Sequence, residues 1–354
     1  MAQEWGALAD GLAAPPALYP GYVQAWAAAH AAPERLLAVT VWRGDRLAAV
    51  LPLVLDRSRQ TTVAMRHTEE IGIVADGADA ARAAAEGALA MGVSRLLMRP
   101  VPRGGLTHAA FAEACADGAG SLMERVVDEH PVIDITGDWE SYWSTLSRNT
   151  RSDVRRRRRR LDELGSVEVE VLDGAEGLEE ALALAMEIEA SGWKGRAGTA
   201  LAARPADERH HRLLAHWAAR RGWLRLTFLR VDGRAIAFHF SLQAHGILYV
   251  LRIGFADDMA AHSPVKVLMA CEIERAFAEG LDRFDFAGSS ADYKTRWANG
   301  SRTLLELSAF PPTVRGRAAR AAGVARMRLT PVAKRGRAAL RDGRDAARAR
   351  LSGG

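Results

Sequence analysis

Leu224-Arg-Leu-Thr-Phe-Leu-Arg-Val231, the turn Asp232-Gly233, Ala235 to Gln243, the turn His245-Gly246 and Ile247 to Ile253 form the stretch whose reading decides the fold. Three apolar runs are separated by Asp-Gly and His-Gly, pairs that supply the positive φ of a tight hairpin. The stretch therefore predicts a three-strand antiparallel meander. In the middle run His239 and Ser241 alternate with Phe238 and Phe240, so the two polar side chains share one face of the sheet and the rings share the other.

Downstream, Ser263-Pro264 predicts a helix with a favoured N-cap and Pro at its first position, running to Gly280. Its apolar stripe, Val265, Met269, Ile273, Ala276 and Phe277, packs one face on the sheet. A strand over Arg283 to Phe286, a short helix over Tyr293 to Ala298 and a strand over Thr303 to Ala309 follow. Upstream, Val167 to Leu172 alternates as a half-buried strand, and Glu176 to Glu189 and Asp207 to Arg221 read as helices. A single long helix is expected from Trp139 to Leu164, enclosing the run Arg155 to Arg160. The first third predicts a hairpin of Leu36 to Trp42 with Leu47 to Leu55, Pro52 placing the second strand near an edge or bulge. A helix over Ala78 to Met91 and strands over Arg95 to Met98 and Val132 to Ile135 complete it. This third has few convergent polar groups and reads as a scaffold.

The fold class is α/β in the α+β sense, a mixed, mostly antiparallel sheet flanked by helices. The chain of 354 residues suits about two domains. The expected division is a scaffold unit over 1–135, a second unit over 136–311 and a basic, flexible tail over 312–354. Apolar residues at 49% and charged residues at 26% exclude collagen-like, coiled-coil and low-complexity classes. The net charge of +5 is uneven: twelve Arg and Lys against Asp342 and Asp345 give +10 after Pro311, leaving −5 for the rest. Such a tail attracts an anionic membrane surface or nucleic acid without sequence preference. Only Cys115 and Cys271 occur, far apart, which argues against a disulfide framework or a Cys-ligated zinc site. The most apolar stretch, Leu47 to Leu55, is far shorter than the roughly 20 residues of a membrane span. The expectation is a soluble, cytoplasmic protein.

The order strand, two helices, three-strand meander, helix, strand, short helix, strand resembles the topology of the GNAT acyltransferases. Ser191-Gly-Trp-Lys-Gly-Arg-Ala-Gly-Thr199, Ile236-Ala-Phe-His239, Ser263-Pro264, Asp285-Phe-Ala-Gly288 and Tyr293-Lys-Thr-Arg-Trp297 together resemble the BioF2-like, or CelD-type, branch of these acetyltransferases. That branch is related to the FemAB-type aminoacyltransferases, which carry two GNAT-like units in tandem. The resemblance covers residues 140 to 310; the first half matches in pattern alone.

The resemblance implies an acyl-CoA-dependent acyltransferase that moves an acyl group, acetyl foremost, from thioester to an amine or hydroxyl of a small-molecule or saccharide acceptor. Acetyl-CoA or another acyl-CoA is the co-substrate, and no metal is expected. The pyrophosphate would rest on the helix opening at Ser263, Pro264, Val265 and Lys266, where free amides and the helix dipole favour an anion. Many relatives carry glycine where this chain has Val265. Lys294 would hold a phosphate, Tyr293 would protonate the departing thiolate, and Asp285 would orient either or take a proton from an amine. His239 is a candidate general base, Trp193 and Lys194 a cover for the cleft, and Arg148 and Arg151 anion contacts towards the acceptor. Backbone amides over Leu251 to Gly254 would hold the oxyanion. Each residue also has a plainer reading: a capped turn at Asp285, a ring packed on Trp297, a solvated Lys294, a hydrogen-bonded strand histidine. Six consecutive arginines go all the way round a helix, so the run has no single binding face. Two alternatives stay open. One is a FemAB-like transferase using aminoacyl-tRNA; the other is a non-catalytic component of polysaccharide biosynthesis or export machinery.

Overall fold

A computed structural model describes residues 1–30, 35–55, 61–63, 70–191, 203–288 and 291–325. One sheet runs through the protein. The first third supplies β1 (Leu36–Arg43), β2 (Arg46–Leu55), β3 (Thr61–Val63), β4 (Val74–Ala75), β5 (Arg95–Pro102) and β6 (Ser121–Asp134). The remainder supplies β7 (Val167–Leu172), β8 (Leu224–Val231), β9 (Arg234–Ala244), β10 (Ile247–Phe255), β11 (Arg283–Asp285) and β12 (Gly300–Phe310). Their order is β1-β2-β3-β5-β12-β6-β11-β10-β9-β8-β7, with β4 also on β2.

The meander forms as its turns dictate. Asp232 and Gly233, like His245 and Gly246, all take positive φ, the geometry that matches the twist of two flanking strands. β8, β9 and β10 then pair antiparallel along their lengths. Phe228, Phe238, Phe240 and Leu242 bury one face beneath α7 (Leu178–Ser191) and α8 (Pro205–Arg220). The opposite face carries α9 (Pro264–Ala278), whose Met269, Ile273, Ala276 and Phe277 pack with Leu248, Val250 and Phe284.

The division after residue 135 is crossed by hydrogen bonds. β12 lies between β5 and β6, pairing Leu304 with Pro102 on one side and Gly300 to Phe310 with Val132 to Ser121 on the other. β6 in turn pairs with β11. A second tie joins α2 (Pro20–His30) to α8. There Gly21 lies so close to Trp217 that an added Cβ would fall 1.9 Å from its Nε1.

Two local expectations are corrected. The helix expected over Trp139 to Leu164 is two, α5 (Trp139–Thr145) and α6 (Arg148–Asp162). Leu146 turns extended and Ser147 caps the second helix by accepting the Thr150 amide at 3.1 Å. The strand expected at Val132 begins eleven residues earlier, at Ser121. Pro52 lies on β2, next to the edge strand β1 and opposite an interruption: β2 meets β4 through Ala49 and Val50 and β3 through Val54 and Leu55, so Pro52 has no ladder partner on that side among the described residues. Of the basic tail, residues 314–325 are helical and those from 326 on lie outside the described residues.

Because β12 fills a gap between two other strands, a chain ending at Asn299 will expose both β5 and β6 and lose its cooperative thermal transition in circular dichroism. A chain ending at residue 325 will melt as the full protein does. Gly21→Ala, which drives a methyl into the Trp217 ring, will lower stability by about 1–3 kcal/mol in urea unfolding.

Candidate active site

The site begins where two neighbouring strands stop pairing. β10 runs parallel to β11 through only three pairs, Ile247 with Arg283, Leu248 with Phe284 and Tyr249 with Asp285. From Val250 to Phe255, β10 keeps its β9 pairing and makes no ladder pair with β11. The cause is local. After Asp285 the chain turns through Ala287 and Gly288, both at positive φ. The Asp285 carboxylate accepts the Ala287 amide at 2.9 Å, and the Lys294 ammonium closes on the carbonyls of Phe286 and Ala287. β10 itself bulges between Val250 and Arg252. Leu251 and Arg252 both turn to the α7 face as a result, Leu251 into its apolar cluster and Arg252 onto Glu189 with bonds of 2.8 and 3.1 Å.

α9 starts a short way beyond the end of β10. Ser263 does not cap it: the residue is left-handed (φ 47°, ψ 57°), and its hydroxyl makes no cap bond. An N-cap side chain reaches the first-turn amides from an extended backbone, so this conformation turns the Ser263 hydroxyl away from them. Pro264 is buried, and Val265 and Lys266 are half-buried on the first turn.

A groove of about 670 Å³ lies beside this turn, walled by α6, α9 and α10 (Asp292–Thr295) and lined by Asn149, Asp153, Arg156, Lys266, Tyr293 and Arg296 among others. Asp153 organises its cations, accepting from Lys266 at 2.7 Å, Arg156 at 2.6 Å and Arg157 at 3.1 Å. Burial acts to raise that carboxyl, but Lys266, Arg157 and Arg156 outweigh it and hold the group well below the usual carboxylate range. Burial raises the Tyr293 hydroxyl, so it stays protonated at neutral pH and is a proton donor.

His239 is elsewhere. It faces α9 as the alternation predicts, but it is fully enclosed, with Nδ1 on Glu272, itself buried. Thr227 donates to the other Glu272 oxygen at 2.6 Å and Arg275 at 3.0 Å. His239 Nε2 and the Ser241 hydroxyl, on the same face, are buried without a hydrogen-bond partner. Burial acts to raise the Glu272 carboxyl; His239, Thr227 and Arg275 together pull it below its ordinary value.

The opposite face holds a second polar cluster at the foot of the open strands. Phe284 points to α9, so Asp285 points away from it, beside Tyr249. Arg302 of β12 donates to Asp285 at 3.0 Å and to Glu70 at 2.5 Å. His130 lies alongside, and burial lowers its pKa against the pull of Asp285 and Asp128. Burial also raises the Tyr249 hydroxyl, with Glu70 and Asp285 adding to it.

The structure thus brings Tyr293 and Lys266 into one groove and sets Asp285 and Lys294 on either side of the turn that ends β11. It keeps His239 apart from both. Arg148 is exposed on α6; Arg151 is half-buried, its Nε enclosed without a partner. Trp193 and Lys194 lie outside the described residues. Sequence reasoning missed Glu70, Tyr249, Arg302 and Glu272. Of these only Glu272 carries a local signal, since it falls on the sheet-facing side of a helix.

Residues 148–295 match the model for the acetyltransferase (GNAT) domain, which supports an acyltransferase. A search of curated proteins found no match. Among solved structures, FemX superposes with a TM-score of 0.61 at 14% identity, covering 88% of this chain and 96% of that one. The C-terminal domain of a putative lysylphosphatidylglycerol synthetase from Agrobacterium fabrum gives 0.55 at 13%, covering 86% and 90%. The structure of L-PGS from Bacillus licheniformis gives 0.52 at 11%, covering 87% and 96%. At these identities the likeness is one of fold. No helix among the described residues is long and apolar enough to cross a membrane.

The Glu272 network has a pH signature. A carboxyl held below its ordinary value stabilises the fold above that value and loses the contribution as pH falls through the folded one. Glu272→Ala, which removes the partner of the buried His239 imidazole and Thr227 hydroxyl, will cost about 3–5 kcal/mol in urea unfolding at pH 7. The deficit will shrink once the pH drops below the ordinary value of 4.5.

Proposed function

We propose that the protein transfers an acyl group from acyl-CoA, acetyl-CoA first among them, to an amine or hydroxyl by direct attack, within the CelD-type branch that its motifs resemble. The observation that carries this reading is the loss of β10–β11 pairing after Tyr249 and Asp285, which leaves a slot for a thioester-bearing arm along Val250 to Phe255. The cationic groove at the first turn of α9 suits a diphosphate, with Lys266, Arg156 and Arg296 at hand. Acyl-CoA is a substrate here, and the thioester it brings supplies the activated acyl carbon.

In the proposed step the acceptor's nitrogen or oxygen forms a bond to that carbon and the carbon–sulfur bond breaks, its electron pair leaving on sulfur. Tyr293 gives its proton to the thiolate, and the acceptor's proton passes to the carboxylate pair of Glu70 and Asp285. Amides of the bulged β10 segment hold the oxyanion. Lys294 acts by fixing the carbonyls of Phe286 and Ala287, and so the turn that opens the slot. His239 is a supporting residue beneath α9 in this reading, and the acceptor is a small molecule or saccharide.

Exposed arginines on α6, Arg155, Arg159 and Arg160, favour a second reading in which the donor is aminoacyl-tRNA and these side chains meet its phosphates. A non-catalytic role, with the basic tail on an anionic surface, is the third.

Isothermal titration separates them. Acetyl-CoA will bind the full chain at micromolar concentration, and Lys266→Ala will weaken it about tenfold. Tyr293→Phe will bind as the wild type does and release CoA thiol about 100-fold more slowly. Salt-sensitive tRNA binding without acetyl-CoA binding would transfer support to the second reading.

A further inference from the structure

The first third contributes more than a scaffold to the site. Glu70, 8% exposed, stands between two spaces on the face away from α9. One is a tight gap of about 10 Å³, room for a single water, lined by Tyr249 and Leu251 of β10 together with Tyr22 and Pro15. The other is a cavity of about 310 Å³ between α1 (Ala2–Gly11), β4 and α4 (Leu106–Ala116), lined by Leu12, Leu18, Ile73, Val74, Ala75 and Leu106 among others. Glu70 and Pro15 are the wall that the two share.

Among the described residues, Glu70 is the one charged side chain lining this cavity. Its other side-chain hydrogen-bonding group, Thr107, is occupied, accepting the Ile73 amide at 2.8 Å. Glu70 and Asp285 share one guanidinium, that of Arg302, so among the described residues two carboxylates meet a single cation here. A buried carboxylate on the wall of a largely apolar cavity recognises a cation on an apolar body, and pairing strengthens as the carboxylate is buried.

We infer that this cavity is the acceptor subsite and takes a primary amine carried on an apolar body, its ammonium on Glu70 and its apolar part against Leu12, Leu18 and Leu106. The assignment rests on the reading that the thioester lies along β10. Glu70 then takes the ammonium's proton at the wall that this cavity shares with the gap beside Tyr249 and Leu251.

The test uses the full chain and n-hexylamine as probe, with n-hexanol and ethanolamine as comparators, binding being followed by isothermal titration. Hexylamine will bind at least about tenfold more tightly than either comparator, and Glu70→Gln will weaken it about tenfold. Leu12→Trp, which fills the cavity from its exposed rim with little risk to folding, will do the same. Acetyl-CoA will bind all three proteins equally. Equal hexylamine binding by the variants and the wild type, or equal binding of hexanol, overturns the assignment. So does a wild type that binds acetyl-CoA and no hexylamine. A wild type that binds hexylamine in this pattern but never acetyl-CoA keeps the amine site and removes the acyltransfer reading on which its role depends.

Discussion

The constraint on which the rest depends is that β10 and β11 hydrogen-bond through three residue pairs and then part. A sheet interior normally satisfies every strand on both sides, because a buried amide or carbonyl without a partner costs about 1–3 kcal/mol. The opening is held from three directions. Lys294 and Asp285 fix the turn that ends β11, the bulge at Leu251 re-aims β10, and Arg252 pins that bulge to Glu189 on α7. Polar side chains thus fix both strands where their pairing ends.

The second organising feature is the interlocking of the two halves. β12 closes the ladder between β5 and β6, and β6 reaches on to β11, so β11 is held on its other side by a strand from the first part of the chain. Arg302 on β12 then joins Glu70 from the first half to Asp285 from the second. The foot of the slot is therefore a place where both halves meet, and a change in either is felt there.

Much of this was legible in the sequence, and the reasons differ by element. The meander was readable because Asp-Gly and His-Gly encode their turns locally, and α9 because its apolar residues recur at helical spacing. The alternation of His239 and Ser241 with Phe238 and Phe240 gave their facing correctly, but facing does not reveal what covers a face, and Glu272 on α9 was the missing half. The first eleven residues of β6 were not readable, since Glu124, Arg125, Asp128 and Glu129 are charges on a strand with half-exposed faces. Glu70 has no signal at all: it precedes Ile71 outside any periodic segment, and only the crossing of β12 brings Arg302 to it. Ser263 shows the opposite failure, a residue with the chemistry of a cap whose backbone does not let it act as one.

The most direct measurement is diffraction from crystals of the full chain grown with acetyl-CoA. The account predicts density for the pantetheine arm between β10 and β11, alongside Val250 to Phe255, with the diphosphate at the first turn of α9 near Lys266. Density elsewhere on the protein, or β10 and β11 drawn together over an empty slot at saturating acetyl-CoA, would contradict it.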